Sequence, residues 1–367
     1  MKIGLDISQS VYEGSGVARY MNGLLESILA NDFQNNWTFF FGAWQKSLPS
    51  ALKDKIRARS FKLKQYPFPP KVLSLLWNRL HILNLENFVG KLDWFISSDW
   101  TEPPTRNIRK ATVVHDLVYL KYPETVHWSI LKTQNMRLSR VVEESEIIFA
   151  DSQATKKDLM ELLNVAEAKI EVVYPGVKVF KSLKPVTDAV LRKYALSKKK
   201  YILTVGKREP RKNLENLFVA FEKAALKDTV LVVVGAHGWG ENSKKDLKNV
   251  RFVGHVSDGE LEILYREALF FVYPSLYEGF GFPLVEAFNY EVPTCVSNTS
   301  SLAEIGAGAS LFFDPQNIDD MATEMTQLFE DKELRKSLVQ KGLERAAEFT
   351  WEKTLVKMVE RIEKGSK

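Results

Sequence analysis

The sequence predicts an α/β protein built of two doubly wound parallel sheets, and three observations carry that expectation. Short β-branched or aromatic runs alternate with amphipathic helical segments along the whole chain, the pattern of repeated strand–helix–strand units. Its 367 residues exceed the needs of one ordinary α/β domain. A lysine-rich stretch of low apolar content, from Pro175-Gly176 to Lys200, divides the strand runs into two similar sets and reads as a linker.

The first set of expected strands is Lys2–Ile7, Trp37–Phe41, Leu92–Ile96, Ala111–His115, Glu146–Ala150 and Ile170–Tyr174. The second is Tyr201–Gly206, Thr229–Gly235, Val250–Gly254, Phe270–Tyr273, Pro293–Val296 and Ser310–Phe313. Most are short apolar runs, as strands covered on both faces require. Two such sheets imply a cleft with ligands at the carboxyl ends of the strands. A last helix is capped by Thr350 and carries an apolar stripe of Trp351, Leu355, Met358, Val359 and Ile362. Periodicity alone does not name its packing partner.

Composition narrows the function. Hydrophobic content of 45% and charged content of 26% describe an ordinary globular protein. The net charge of +5 suits an anionic substrate or a membrane surface but is too dispersed for nucleic acid. A single cysteine, Cys295, rules out an internal disulfide and points to a reducing compartment. The start, Met1-Lys2-Ile3-Gly4-Leu5-Asp6-Ile7, reads as a strand without a signal-peptide core, and no apolar run approaches a membrane span. A cytoplasmic protein is expected.

The most informative stretch runs from Pro274 to Glu286: Pro-Ser-Leu-Tyr-Glu-Gly-Phe-Gly-Phe-Pro-Leu-Val-Glu. Glu278 in a loop and Glu286 in the first turn of a following helix bracket Gly279, Phe280, Gly281, Phe282, Pro283 and Leu284. Glycine and a helix N-terminus free backbone N–H groups for a phosphate. Carboxylates beside them accept hydrogen bonds from sugar hydroxyls. The combination fits a nucleotide sugar. A glutamate in a first helical turn also complements the helix dipole, and alone it would mean no more than that.

With Glu278 to Glu286, four further segments make the chain resemble the retaining glycosyltransferases of family 4. They are Val205-Gly206-Lys207-Arg208-Glu209-Pro210-Arg211-Lys212-Asn213-Leu214, Gly254-His255-Val256-Ser257-Asp258, Val113-Val114-His115-Asp116-Leu117 and Val173-Tyr174-Pro175-Gly176-Val177. Ser15-Gly16-Val17-Ala18-Arg19-Tyr20 fits as well. The resemblance covers essentially the whole chain and implies the GT-B fold, two Rossmann-like domains facing across a cleft. It implies an acceptor-binding domain of 1–177, completed by a C-terminal helix 350–367, and a nucleotide-sugar domain of 178–349. Gly235-Ala236-His237-Gly238-Trp239 and Ser275-Leu276-Tyr277-Glu278 look most like bacterial mannosyltransferases that use GDP-mannose. Two departures stand out: Glu291-Val292-Pro293 replaces the usual Gly-x-Pro, and Lys178 replaces an acid.

The resemblance implies catalytic roles for His115, Glu278, Lys207 and Lys212. It implies donor binding by Gly14, Gly16, Arg208, Arg211, Val256, the Gly279–Leu284 segment and Glu286. Glu286 would hold the ribose hydroxyls, Glu278 the transferred sugar, and the cations the departing diphosphate, where preplaced charge stabilises the leaving group. A basic turn ahead of a helix is also an ordinary solvated feature, and a strand-end His-Asp pair is often a structural hydrogen bond. Front-face displacement is implied, with retention at the anomeric carbon. Asp116 is the nearest acid for a double displacement. Neither a metal nor another cofactor is expected, since no Asp-x-Asp follows a strand and the five histidines are scattered.

Between Lys46 and Arg79 lie nine Lys/Arg and one acid, Asp54, a net of +8 (9 − 1). Phe68 to Leu80 follows as an aromatic and apolar helix candidate. Such a pairing suits anionic lipid headgroups and a lipid-linked saccharide acceptor, or equally a solvated face over a core helix. A transferase using a UDP-sugar is the alternative enzyme, and a silent GT-B sugar-binding or scaffold protein the alternative of another class. A nicotinamide dehydrogenase is rejected, because Gly14-Ser15-Gly16-Val17-Ala18-Arg19 lacks the third glycine of the dinucleotide fingerprint.

Overall fold

The computed structural model describes residues 1–366 except 13, 98–99, 179–186, 237 and 239–247. The chain divides into two compact units, Met1–Gly176 with Thr350–Lys367 and Val177–Phe349. Each holds one parallel sheet.

In the first unit the strands are β1 (Lys2–Asp6), β2 (Asn36–Gly42), β3 (Lys62–Tyr66), β4 (Trp94–Ser97), β5 (Arg109–Val114), β6 (Ile147–Ala150) and β7 (Ile170–Val172). Their order is β3-β2-β1-β4-β5-β6-β7. In the second unit they are β8 (Tyr201–Val205), β9 (Val230–Val234), β10 (Val250–Gly254), β11 (Phe270–Tyr273), β12 (Thr294–Ser297) and β13 (Leu311–Phe313). Their order is β10-β9-β8-β11-β12-β13. Strand order reverses between β1 and β4, and again between β8 and β11. At each reversal the loops leave the strand ends in opposite directions and open a crevice for a ligand.

The cores follow from the apolar runs. Ile202, Leu231, Val233, Phe270, Val272 and Cys295 from the strands pack against Leu217, Phe221, Met321, Met325 and Leu328 from the helices. In the first unit Val114, Ile148 and Ala150 pack against Leu138, Val141 and Leu159. A second cluster joins Phe40 and Phe95 to Leu73, Trp77 and Leu85. Burial pushes the Cys295 thiol well above its ordinary pKa, so it serves as an inert core residue.

The last helix, Trp351–Gly365, belongs to the first unit. Thr350 caps it by accepting from the Lys353 amide at 3.3 Å. Trp351, Leu355, Met358 and Ile362 are buried. The Trp351 ring meets Tyr20 edge-on at 5.4 Å, and a Cβ on Gly23 would come within 2.0 Å of that ring. Gly176 is confined by backbone rather than a ring, since its Cβ would lie 2.1 Å from the Trp351 backbone nitrogen.

Two sequence expectations need correction. β3 was not among the expected strands: Lys-Leu-Lys-Gln-Tyr lies inside the basic run and sits at the sheet edge, where lysines guard an unpaired strand. The stretch read as a linker carries a helix at Thr187–Lys193. Its lysines mask a short apolar face that buries Leu191.

Candidate active site

Two loops meet where strand order reverses in the second unit. One leaves β8 at Gly206 and runs to Asn213; the other leaves β11 after Tyr273. The Leu276 amide donates to the Arg211 carbonyl at 2.9 Å, and the Arg211 guanidinium donates to the Tyr277 carbonyl at 2.7 Å. These bonds knit the loops together. Glycine is required where β8 and β9 end, because a Cβ on Gly235 would lie 2.0 Å from the Gly206 carbonyl oxygen.

Glu278 is the centre of this junction. Its Oε1 accepts from Lys212 Nζ at 2.5 Å and from the Tyr273 hydroxyl at 2.9 Å. Its Oε2 faces an Arg211 nitrogen at 2.7 Å. Lys212 Nζ also donates to the Tyr273 hydroxyl at 2.8 Å. Burial alone would raise the Glu278 pKa, but Arg211 and Lys212 together outweigh it and hold the carboxyl at about 2. Lys212 moves the other way: burial lowers its pKa, Glu278 offsets part of that, and Arg211 adds repulsion. Glu209, whose carboxylate lies 3.7 Å from an Arg211 nitrogen, offsets a further part, yet burial still prevails at Lys212. Burial and the Glu278 charge together push Tyr273 well above the ordinary phenol range. Glu278 is therefore an ionised acceptor at any ordinary pH, and the Tyr273 hydroxyl keeps its proton.

The turn after Glu278 is laced to a neighbouring helix, Ser300–Ile305. The Glu278 amide donates to Ser300 Oγ at 3.0 Å, and Ser301 Oγ donates to the carbonyls of Glu278 and Phe280 at 2.8 and 3.0 Å. Gly281 adopts φ 98° and begins the helix Phe282–Asn289, and a Cβ there would lie 2.7 Å from Leu302 Cδ2. Because the helix starts at Phe282, Glu286 falls in its second turn, not the expected first. Glu286 Oε2 accepts from the Tyr265 hydroxyl at 3.1 Å, and Tyr265 stacks on Tyr290 at 5.4 Å. Gly279, Phe280, Pro283 and Leu284 line this turn, with the Phe280 ring edge-on to Phe282 at 5.3 Å.

The remaining expected residues divide. Lys212 and Arg211 join Glu278, whereas Lys207 is exposed. Arg208 stacks its guanidinium over the Phe252 ring at 5.0 Å. Val256 is buried after β10, ahead of a helix capped reciprocally by Ser257 and Glu260. His237 and Trp239, from the segment likened to mannosyltransferases, lie outside the described residues.

In the first unit, His115 follows β5 directly. Its Nδ1 lies 2.7 Å from Asp151 Oδ2, and its ring meets Tyr20 edge-on at 4.7 Å. Burial and the Asp151 charge together push Tyr20 well above its ordinary pKa. Asp116 accepts from the Val118 amide at 3.0 Å and so braces the next turn. Gly14 adopts φ 77°, and a Cβ on Gly14 or Gly16 would meet open space. Ser15 caps the helix that Gly16 opens.

Tyr273, Tyr265, Ser300, Ser301 and Asp151 were not anticipated. Tyr273 closes the expected strand Phe270–Tyr273, and its place as the last residue of β11 is the available signal. The others reach the site from 21 to 36 residues away in sequence, and no local pattern marks them.

Comparison with known proteins agrees with this architecture. The description Glycosyl transferases group 1 matches residues 187–345, and Glycosyltransferase Family 4 matches residues 14–179. The O-antigen chain mannosyltransferase B of Escherichia coli is 30% identical over 263 residues, covering 68% of each chain. The serotype-specific mannosyltransferase WbdA of Escherichia coli is 27% identical over 68% of this chain, which spans only 33% of WbdA. A sucrose-phosphate synthase from Thermosynechococcus elongatus superposes with a TM-score of 0.75 at 18% identity, covering 98% of both chains.

The fold is thus GT-B, and the class is that of the glycosyltransferases. The chain belongs to glycosyltransferase family 4. Among the described residues, no helix is long and apolar enough to cross a membrane.

Proposed function

We propose that the enzyme transfers mannose from GDP-mannose to a saccharide or lipid-linked saccharide during synthesis of a cell-surface polysaccharide. The observation that carries this reading is the ionised Glu278, held between Lys212 and Arg211 where β8 and β11 end. A carboxylate there accepts from sugar hydroxyls, while the two cations stand ready for a diphosphate. The choice of mannose rests on the relatives, which are named O-antigen or serotype-specific mannosyltransferases.

In this reading the bond from the anomeric carbon to the diphosphate oxygen breaks as the acceptor hydroxyl approaches the same face. The acceptor proton passes to the departing phosphate oxygen, and configuration is retained. Lys212 and Arg211 take up the charge gained by the diphosphate, and exposed Lys207 completes the basic set. Glu286 holds the ribose hydroxyls, with Tyr265 fixing its rotamer. His115, oriented by Asp151, hydrogen-bonds to the transferred sugar. No metal takes part.

The test is a panel of nucleotide sugars, reading thermal stabilisation, slow donor hydrolysis and the anomeric configuration of the product, with and without EDTA. GDP-mannose should stabilise most, give an α-linked product, and react equally in EDTA. Stabilisation by UDP-sugars but not by GDP-mannose would replace the donor; an inverted product would remove the mechanism.

A further inference from the structure

Two exposed indoles flank the crevice of the first sheet, and the transfer chemistry uses neither. Among the described tryptophans of this unit, Trp37, Trp77, Trp94 and Trp351 are buried and Trp100 is half-buried. Trp44 and Trp128 are 51% and 69% exposed. A lone exposed ring needs no explanation. The placement of these two does.

Topology sets both at the carboxyl edge of the sheet. Trp44 lies two residues beyond the end of β2. Trp128 opens the helix Trp128–Glu144, which carries the chain from the end of β5 back to the start of parallel β6. A crossover helix of this kind begins at the carboxyl edge. In the strand order, β2 and β5 stand on either side of the β1/β4 reversal. The two indoles are therefore rooted on strands three spacings apart, about 14 Å, with the crevice between them.

Local structure sets each ring. Beyond Trp44, Gln45 adopts φ 58°, a conformation that costs a residue with a side chain. The chain turns back there, so that Lys46 Nζ donates to the Val11 carbonyl at 3.1 Å and covers the Tyr12 ring at 4.7 Å. His127 caps the other helix by accepting from the Ser129 amide at 3.3 Å, and its ring lies 5.6 Å from that of Trp128. In the turn directly after β1, Ser10 is 6% exposed, and its buried hydroxyl has no hydrogen-bond partner among the described residues. Such a group at the ligand edge of a sheet calls for a polar ligand atom.

We propose that this edge is an oligosaccharide subsite in which Trp44 and Trp128 stack on two different sugar rings of the acceptor. The enzyme then reads a saccharide chain rather than its terminal sugar alone. The apolar C–H face of a pyranose covers an indole, and a rigid aromatic side chain holds it at low entropic cost. Ser10 and Lys46 supply hydrogen-bond donors to hydroxyls between the rings. Two rings set apart on either side of a polar turn suit a ligand that alternates apolar faces with hydroxyls. One sugar cannot reach both. The inference rests on the transferase reading above for the acceptor being a saccharide.

The experiment is titration calorimetry of the intact protein, without donor, against α-linked mannose, glucose and galactose oligomers from disaccharide to pentasaccharide. In one of these series affinity should rise at least tenfold between disaccharide and tetrasaccharide. Trp44→Ala and Trp128→Ala should each remove most of that gain with melting temperature unchanged, and Trp44→Phe and Trp128→Phe should keep it. With donor present, the alanine variants should raise KM for the tetrasaccharide about tenfold more than KM for the donor. Affinity independent of length, no binding by any oligomer, or equal affinity of the wild type and both alanine variants overturns the proposal. Donor hydrolysis by the wild type keeps the two readings apart. Hydrolysis of GDP-mannose with length-independent saccharide binding refutes the subsite alone. Length-dependent binding without that hydrolysis refutes the donor alone.

Discussion

The Tyr273 hydroxyl bridges Lys212 and Glu278: it accepts from the lysine at 2.8 Å and donates to the carboxylate at 2.9 Å. When a diphosphate draws Lys212 away, this hydroxyl still holds Glu278 in place. Tyr273→Phe should therefore lower kcat about tenfold, the order of one charge-assisted hydrogen bond. Losing a bond to the ionised form raises the Glu278 pKa, so the acid limb of the rate profile should move to higher pH. An unmoved acid limb would mean that Tyr273 only fills space.

Glu278 also ties the site to stability. Its pKa is held at about 2, below the ordinary 4.5, so its stabilising share is complete above pH 4.5 and lost as pH falls toward 2. A shift of this size corresponds to about 3 kcal/mol, and the cost of burying Lys212 reduces the net. Acid unfolding of the wild type should begin below pH 4.5, and Glu278→Gln should flatten that dependence. Denaturant melts at pH 3, 4.5 and 7 measure both.

Lys212 and Lys207 should separate in effect. Lys212→Ala removes a cation from the buried junction and leaves Glu278 with Arg211 alone, so a loss of at least 100-fold in kcat/KM is expected, about 2.7 kcal/mol. Lys207→Ala, at an exposed position, should lose about tenfold or less. Steady-state kinetics at fixed ionic strength decide, and equal losses would contradict the ranking.

Asp151 is expected to act through His115. Asp151→Asn should reduce kcat about tenfold with little change in donor affinity, because the imidazole loses its orienting carboxylate while the donor keeps the contacts proposed for Glu286, Lys212 and Arg211. His115→Ala should cost about 100-fold in kcat on the same grounds. A loss that appears as weakened donor binding in both variants would assign the pair a different role.

Glu291 explains one departure from the family pattern. It adopts φ 59° in the turn after the helix Phe282–Asn289, a left-handed conformation that glycine takes without strain. Glu291→Gly should leave activity alone and raise stability by roughly 0.5–1 kcal/mol, the strain relieved less the added chain entropy. Calorimetry of the two proteins suffices.

How much of this was legible beforehand follows from where each signal resides. Twelve strands could be read because β1, β2 and β4–β13 are largely short apolar runs with helices between them. β3 escaped because an edge strand of alternating lysines has the composition of a solvated turn. Glu278 and Glu286 announced themselves by their spacing around two glycines. Tyr273, Tyr265 and Ser301 did not, because their roles arise only when β11 and the helices behind it bring distant residues onto the same carboxylates and carbonyls. The cation choice was open for the same reason: four basic residues share one turn, and only the fold decides that Arg211 and Lys212 turn inward.

The seat of Trp351 carries a consequence for how the molecule is made. Gly23 and Tyr20 pack on the indole and Gly176 on the backbone of a residue that leaves the ribosome only after all of Val177–Phe349. During synthesis the amino-terminal unit must wait with that groove empty while its neighbour folds. A nascent chain halted at residue 349 should then expose apolar surface to chaperones and proteases, and adding the final turns of helix should withdraw it in one step.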